Sequence, residues 1–215
     1  MKLHLGCGQR YLDGYVNIDY PLDQHNVQIK TVADKHADLT KLQYRLNSIN
    51  EVRLHHVFEH FERAIACALL LTWRSWLKKE GIIRIEVPDF KRTTLSVMSP
   101  FSSKRKKAVG LRHVFGSQEA NWAIHYHGWS AIDLRHLLKL SGFEDTKLSK
   151  NNWKGTYNVE ILAKKNSQNI SKNKAIIICE DWLRSFLVDN SPSEKSMHKY
   201  WTTKAQEQIN ICWGK

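Results

Sequence analysis

The chain has only four cysteines, no C-x-x-C pair and no long hydrophobic run. Cys7, Cys67, Cys179 and Cys212 lie far apart among the 215 residues, which argues against a disulfide framework and against a cysteine-type zinc finger. Apolar stretches such as 65–71 are far shorter than the roughly 20 residues that span a bilayer. The first residues show no secretory signal. The sequence therefore predicts a soluble protein of the reducing cytoplasm with no membrane span.

Acidic side chains are scarce relative to basic ones, since 33 Lys and Arg stand against 21 Asp and Glu. The net charge of +12 suggests an anionic partner, such as nucleic acid, an acidic or phosphorylated glycan, or a membrane surface. Hydrophobic residues make up 42% of the chain, which is enough for one sizeable core and too many for a disordered protein.

The hydrophobic pattern of the first 90 residues predicts an α/β sheet. Short apolar or β-branched segments are separated by turns, and a long segment with an apolar residue every three to four positions follows them. Gly81 is a natural stop for this helix, and another apolar segment comes directly after it. Strand, helix and strand in this order are typical of a parallel sheet. The predicted strands are residues 2–5, 15–20, 27–32, 51–55 and 82–87, and the predicted helix covers residues 61–79.

Residues 91–128 interrupt this pattern because they are polar and basic and show no clear periodicity. A segment of this length predicts a substrate loop or lid inserted in the domain. A helix that begins at Ser130 and two strands at 147–148 and 157–163 follow it, and the two strands form an antiparallel hairpin. They complete a predicted domain of residues 1–164.

The last part of the chain, residues 165–215, is predicted to be a helical extension packed on the same domain. Its first ten residues are polar and indicate a linker, and two amphipathic helices follow. The second helix opens with Ser191, Pro192 and Glu194, which match a capping box with proline at the first helical position.

A glycine turn follows the first predicted strand. Gly6 and Gly8 flank Cys7, and the second strand closes with Asp19. Glycines let a cofactor approach the backbone, and an acidic side chain at the end of the next strand can bind both ribose hydroxyls. The third glycine of the dinucleotide fingerprint is absent, which argues against NAD. Cys7 is interpreted as a small packing residue and not as a nucleophile.

Several segments occur in a specific order: LHLGCG, DGYVNIDY, ADLTKL, LHHVFEHF, LKKEG, IIRIEVPDF and HYHGWSAIDLRHLLKLSGF. In this order they resemble class I S-adenosylmethionine-dependent methyltransferases, and most of all the small methyltransferases associated with bacterial surface polysaccharide synthesis. The resemblance covers about residues 2–164. It implies a Rossmann-like, mostly parallel seven-stranded sheet with an antiparallel last strand and helices on both faces. It also implies S-adenosyl-L-methionine as cofactor, bound by Leu5, Gly6, Cys7, Gly8, Asp19, Tyr20, Asp38, Leu39 and His55.

The segment from His56 to His60 matches the H-x-x-E-H pattern of inverted zinc proteases, in which one helix supplies two ligands and a general base. No protease-like context surrounds it here. Some methyltransferases that this stretch resembles carry E-x-x-E-H at this place and bind a metal through it. Alternatively, Glu59 or His60 acts as a general base for a hydroxyl, or the pair simply satisfies backbone donors at the start of a helix.

His125 lies five residues before Ser130, and in the resembled family a histidine at this spacing faces the active site. The candidate catalytic residues are therefore His56, Glu59, His60 and His125, and the same four are the candidate metal ligands. A His/Glu/His set suits Zn, Mn or Fe better than Mg. A bound divalent metal and an acid–base role both stay open.

These features predict a methyltransferase that transfers a methyl group to the oxygen of a sugar or glycan hydroxyl. The insertion is expected to bring Lys104–Lys107, Arg112, Trp122 and Trp129 to one side of the acceptor crevice. That mixture suits a small-molecule or glycan acceptor that bears phosphate or carboxylate, and it predicts weak, nonspecific, salt-labile nucleic-acid binding. The alternatives are a nucleic-acid methyltransferase that uses the basic loop, a zinc hydrolase, and a catalytically silent cofactor-binding scaffold. The oligomeric state stays open.

Overall fold

The computed structural model describes residues 1–21, 23, 30–153 and 155–214. Its strands are β1 (Lys2–Leu5), β2 (Val16–Asp19), β3 (Lys35–His36), β4 (Ile49–His55), β5 (Leu77–Pro88), β6 (Phe143–Trp153) and β7 (Thr156–Lys165). They form one seven-stranded sheet in the order β3-β2-β1-β4-β5-β7-β6. All the described pairings are parallel except those of β7, which runs antiparallel to both β5 and β6. The expected Rossmann-like sheet is confirmed.

The helices are α1 (Arg63–Trp76), α2 (Phe90–Met98), α3 (Lys104–Phe115), α4 (Ala131–Leu140), α5 (Lys172–Arg184) and α6 (Pro192–Cys212). Single 3-10 turns occur at Leu39–Lys41, Phe58–His60 and Asn121–Ala123. Among the described residues, none of the helices combines the length and the apolar character needed to cross a bilayer.

The two faces of the sheet differ in chemistry. One face carries apolar side chains, such as Leu3, Leu54 and Ile85, which are fully buried in the core. The opposite face, called here the polar face, carries the alternate residues of the same strands, because successive side chains of a strand point to opposite sides. Its members include His4, Asn17, Arg53, His55, Arg84, Glu86, Asn158 and Glu160.

Helix α1 is buried nearly all round because the C-terminal helices cover the side that the sheet does not. Contacts from both helices tie it down. Trp76 Nε1 donates to the carbonyl of Cys212 in α6 at 3.1 Å, and the sulfur atoms of Cys67 and Cys179, in α5, are 3.3 Å apart. All four cysteines are free and buried.

The predicted end of α1 at Gly81 is wrong. The helix stops at Trp76, and Leu77 is already extended and pairs with Ile49 of β4. Gly81 lies inside β5, next to Glu80, which has a left-handed φ of 60°. The apolar pattern continues beyond the end of the helix. Over a few positions, the spacing of buried residues does not distinguish a strand from a helix.

The basic segment 91–128 is mostly helical and not a loop. Asp89 accepts from the backbone N–H of Arg92 and caps α2, and Ser103 accepts from that of Lys106 and caps α3. Helix α3 has no buried residue, so it lacks the apolar stripe by which a sequence pattern reveals a helix. The two helices lie beside β7, where His113 Nε2 contacts Asn158 Oδ1 at 3.0 Å on the polar face.

Three smaller predictions need comment. Of the strand expected at 27–32, residues 27–29 lie outside the described residues and residues 30–32 are not in a strand, while the third strand of the structure is Lys35–His36. The linker at 165–174 is tied to α1, since the Arg74 guanidinium donates to the carbonyls of Gly142 and Gln168. The capping box is half formed, because Glu194 accepts from the N–H of Val188 and not from that of Ser191.

Candidate active site

The glycine turn after β1 requires glycine for two separate reasons. Gly6 has φ of 67°, and a Cβ on it would lie 2.3 Å from Cγ2 of Val57. Gly8 has φ of 55°, and the space that its Cβ would occupy is open to 4 Å. A left-handed backbone favours glycine at both positions. The turn therefore packs closely on the H-x-x-E-H segment on one side and leaves room for a ligand at Gly8.

The carboxylate of Asp19 is held at the end of β2 by two backbone donors. Oδ2 accepts from the N–H of Gly8 at 2.9 Å, and Oδ1 accepts from the N–H of Tyr20 at 2.8 Å. Each oxygen keeps further acceptor capacity. Gly8 and Asp19, both predicted to bind the cofactor, are thus in direct contact, and the free lone pairs of Asp19 fit the two hydroxyls of a ribose.

The remaining residues predicted for the cofactor differ in what they can offer. Asp38 caps a 3-10 turn by accepting from the N–H of Thr40 at 2.9 Å. Leu5 is fully buried in the core, so only its backbone can face a ligand. Cys7 is buried as well, and burial together with the nearby Asp19 raises the pKa of its thiol to about 12. At neutral pH this thiol is not a nucleophile.

His56 lies between two carboxylates and has a left-handed φ of 56°. Its Nδ1 is 3.3 Å from Oε1 of Glu59, and its Nε2 is 3.6 Å from Oε1 of Glu86. Burial lowers the pKa of His56, but hydrogen bonds and charge attraction from the two carboxylates outweigh it and raise the pKa to about 9. His56 is therefore a cation at neutral pH.

Glu86 is a site residue that the sequence analysis missed. It projects from β5 onto the polar face, where its Oε1 is 3.1 Å from Nε2 of His55. Burial raises the pKa of Glu86, but its hydrogen bonds to His55 and His56 bring the pKa well below the ordinary range. A single acidic residue inside the apolar run IIRIEVP was the sequence signal that could have identified it.

Glu59 is 1% exposed, and the contacts described for its carboxylate are with histidine rings, the shortest being 3.3 Å from Oε1 to Nδ1 of His56. Burial raises the pKa of Glu59, but the neighbouring histidines, His56 foremost, lower it. His125 Nε2 is 3.9 Å from Oε1 of Glu59, and the rings of His60 and His125 are 4.7 Å apart. The four residues predicted as a catalytic cluster thus lie together around one buried carboxylate.

His60 and His125 are oriented by backbone carbonyls. Nδ1 of His60 is 3.1 Å from the carbonyl of Ile124, and Nδ1 of His125 is 3.1 Å from that of His113. A ring that donates through Nδ1 has its lone pair on Nε2. Both rings therefore offer a free Nε2, and candidate ligand atoms of Glu59, His60 and His125 lie within 4.8 Å of one another.

A second set of three candidate ligand atoms within 4.8 Å comprises His55, His56 and Glu86. His56 joins the two sets because its two ring nitrogens face Glu59 and Glu86. A small cavity of about 10 Å³ adjoins the first set, and Trp129 Nε1 and Thr93 Oγ1 border it without a hydrogen-bond partner among the described residues. A cavity of this size and polarity suits about one water-sized molecule.

The geometry of a zinc protease is absent from the H-x-x-E-H segment. That motif needs both histidines on one helix. Here His56 has a left-handed backbone, and only Phe58–His60 form a single 3-10 turn. The structure gives the zinc hydrolase no support.

Two acceptor predictions need correction. Trp129 is 1% exposed and stacks between Phe58 and Trp182 in the core, so it cannot stack on a ligand. Lys104–Lys107 form the first turn of α3, and of the predicted basic residues only Arg112, near the end of this helix, borders the clefts beside the histidines. Trp122 does line one of these clefts, together with His60 and His125.

The fold is similar to that of solved S-adenosylmethionine-dependent methyltransferases. One from Methanosarcina mazei aligns at 12% identity over 78% of this chain and 92% of its own, with a TM-score of 0.52. One from Archaeoglobus fulgidus aligns at 18% identity over 76% and 85%, with a TM-score of 0.50. The 1,6-didemethyltoxoflavin-N1-methyltransferase of Burkholderia thailandensis, solved with S-adenosylhomocysteine, aligns at 12% identity over 77% and 71%, with a TM-score of 0.51. The chain matches no protein-family model and no curated protein.

Proposed function

We propose that this protein is an S-adenosylmethionine-dependent methyltransferase that modifies a sugar or glycan hydroxyl. The observation that carries the proposal is the contact of Gly6 with Val57, which joins the glycine turn to the segment that presents Glu59 and His60. A cofactor held by the turn would therefore lie next to the acid–base cluster. The fold similarity supports the same class.

The residues at the ends of β1 and β2 fit this cofactor. Asp19 would bind the ribose hydroxyls, with Asp38 and Leu39 beside the adenine and the open side of Gly8 beside the methionine part. S-adenosylmethionine, when bound, supplies a methyl group on an activated sulfonium. The protein therefore has to align the acceptor with that methyl group and remove one proton.

His125 is the residue best suited to take this proton. Burial lowers its pKa, so the ring is neutral at pH 7 and its Nε2 is free to accept. Nε2 of His125 would accept the proton that the acceptor hydroxyl gives up when its oxygen is methylated. The carboxylate of Glu59, 3.9 Å away, would stabilise the imidazolium that forms. His56, which is already protonated, would keep Glu59 ionised.

The same cluster fits a divalent cation. Glu59 is a buried carboxylate surrounded by histidine rings, and His60 and His125 each keep a free Nε2. These three side chains would hold the ion, and backbone hydrogen bonds at Nδ1 are the usual support of metal-binding histidines. The ion would lower the pKa of a bound hydroxyl. Metal analysis of wild-type protein and of Glu59→Gln tests this: Zn, Mn or Fe lost with the substitution supports a metal centre.

Calorimetric titration with S-adenosylmethionine tests the proposed cofactor site. Asp19→Ala removes both acceptors for the ribose hydroxyls and should weaken binding by about 1.5–3 kcal/mol. Asp181→Ala is the control, since it removes an exposed carboxylate on the remote helix α5. Wild-type protein that does not bind, or an Asp19→Ala variant that binds as tightly as wild type, would rule out this site.

A further inference from the structure

The polar face of the sheet holds an open cleft of about 670 Å³ beside the acid–base cluster. This volume lies within the range of about 300–1,000 Å³ that small-molecule sites occupy. His55, His56 and Glu86 line one part of the cleft, and asparagines of β6 and β7 line another. It shares His56 and Arg112 with the smaller cleft that contains His60 and His125. The two clefts therefore adjoin at His56 and Arg112.

The charges in this cleft are unbalanced. Both of its carboxylates are already paired, since Glu86 contacts His55 and Oε1 of Glu160 accepts from Nη1 of Arg84 at 2.9 Å. Another acidic side chain of the polar face, Glu51, lies 3.7 Å from Nε of Arg84. No acidic side chain that lines the cleft is left to neutralise a further cation.

Three arginines line the same cleft without such a partner. The side chains of Arg10, Arg53 and Arg112 make no hydrogen bond or ion pair in the part of the chain that the structure describes. Nε of Arg53 is moreover buried without a partner. They come from the glycine turn, from the middle of β4 and from α3. An unpaired guanidinium with a buried donor is costly, and its planar donor set matches an oxyanion in two parallel hydrogen bonds.

We propose that Arg10, Arg53 and Arg112 bind the negatively charged group of a sugar-type methyl acceptor. The shared chemistry is an oxyanion on a sugar, supplied either by a phosphate or by a carboxylate. This inference rests on the proposed function only in taking the bound sugar to be the methyl acceptor, because binding at the anion site can be measured without any methyl transfer. Asn151 and Asn158, which line the cleft, provide hydrogen-bonding groups for the neutral hydroxyls of such a ligand.

The experiment is a calorimetric titration of the full chain with glucose 6-phosphate, glucuronate and glucose, in the absence of cofactor. We expect one of the charged sugars to bind at least about tenfold more tightly than glucose, and which of them binds identifies the oxyanion. Arg112→Gln, on the exposed end of α3, should weaken that binding about tenfold, as for the loss of one charge-assisted contact of about 1.4 kcal/mol. Arg53→Gln should weaken binding by a similar factor. Because Arg53 is half-buried, Arg10→Gln is used instead if the Arg53→Gln variant does not fold.

Arg105→Gln is the matched control, because it removes the same charge from the same helix outside the cleft. If Arg105→Gln weakened binding of the charged sugar by the same factor, the effect would come from net charge alone, and the proposal would be overturned. Binding of glucose as tight as that of the charged sugars, or no binding of either charged sugar, would overturn it as well. Each variant is also titrated with S-adenosylhomocysteine. A loss of that affinity with sugar binding intact would assign the arginines to the cofactor carboxylate instead.

The two proposals fail in different ways. If the protein binds the charged sugar through the arginines but does not bind S-adenosylmethionine, the anion site is supported and the methyltransferase proposal is wrong. A protein that binds the cofactor at Asp19 and ignores the charged sugars would retain the function and lose the anion site.

Discussion

At the scale of single residues, His56 shows how two carboxylates change what a histidine does. Its position in the H-x-x-E-H pattern predicted a metal ligand or a catalytic residue. Contacts with Glu59 at 3.3 Å and Glu86 at 3.6 Å make it the charged partner of both. His60 and His125 instead keep a lone pair on Nε2, because Nδ1 of each ring is hydrogen-bonded to a backbone carbonyl.

The pKa of His56, raised from 6.5 to about 9, predicts how stability depends on pH. A raised pKa in the folded state means that the protonated histidine stabilises the fold. This contribution is complete below pH 6.5 and is lost as the pH rises through 9. The free energy of unfolding of the wild type should therefore exceed that of His56→Asn by about 1–3 kcal/mol at pH 6, and this difference should disappear by pH 10. Asparagine is chosen because it tolerates a left-handed backbone.

Urea unfolding at intervals between pH 6 and pH 10 measures this difference. His136→Asn, at an exposed position of α4, is the control and should show no such dependence. A gap between wild type and His56→Asn that stays constant over the range would contradict the ion-pair account.

At the scale of elements, a column of aromatic rings connects the site to the C-terminal helices. Phe58, in the turn with Glu59, stacks on Trp129 at 4.9 Å, and Trp129 stacks on Trp182 of α5 at 6.1 Å. His127 packs against Trp129 at 4.2 Å, and burial together with Arg63 lowers its pKa to about 4. Helix α5 therefore supports the segment that carries His125.

Removal of the outer ring of this column should be costly. Trp182 is 5% exposed, and Trp182→Ala should lower the free energy of unfolding by about 3–5 kcal/mol, as for other buried aromatic side chains cut to alanine. Tyr200→Ala, at an exposed site of α6, should change it by less than about 0.5 kcal/mol. Chemical denaturation measures both. Similar small losses in the two variants would show that α5 is not an integral part of the fold.

At the scale of the whole molecule, the basic residues behind the net charge of +12 occur in two different settings. The basic turn 104–107 is exposed or half-buried on α3, whereas the three arginines of the cleft surround a concave site. An exposed helical turn suits loose contacts with phosphates, and a concave site suits a small ligand. The cytoplasmic location inferred from the cysteines stays a prediction.

We expect duplex DNA to bind weakly and without sequence preference. The logarithm of the binding constant should fall by about 0.9 per phosphate contacted for each tenfold rise in salt, because counterions are released. Fluorescence anisotropy at several salt concentrations measures the slope. No methyl group should reach the DNA. Radiolabel from S-adenosylmethionine found on DNA or RNA, and on no glycan fraction, would favour the nucleic-acid methyltransferase instead.

Much of the fold was predictable because its signals are local. The glycine turn, the acid at the end of β2 and the long amphipathic segment of α1 each depend on residues that are close in the chain. Helices α2 and α3 were not predictable from periodicity, since α3 buries no side chain. Their caps, Asp89 and Ser103, were the better signal.

The sequence by itself determined that the sheet is mostly parallel and that a glycine turn precedes Asp19. It also placed His56, Glu59 and His60 within five residues of one another. Only the tertiary structure decided what surrounds them. The pairing of β4 with β5 brings Glu86 beside His55 and His56, and α3 brings Arg112 over the same cleft. A side chain takes its charge and its partners from its neighbours in space. Those neighbours come from strands and helices far apart in the chain, so no local pattern records them.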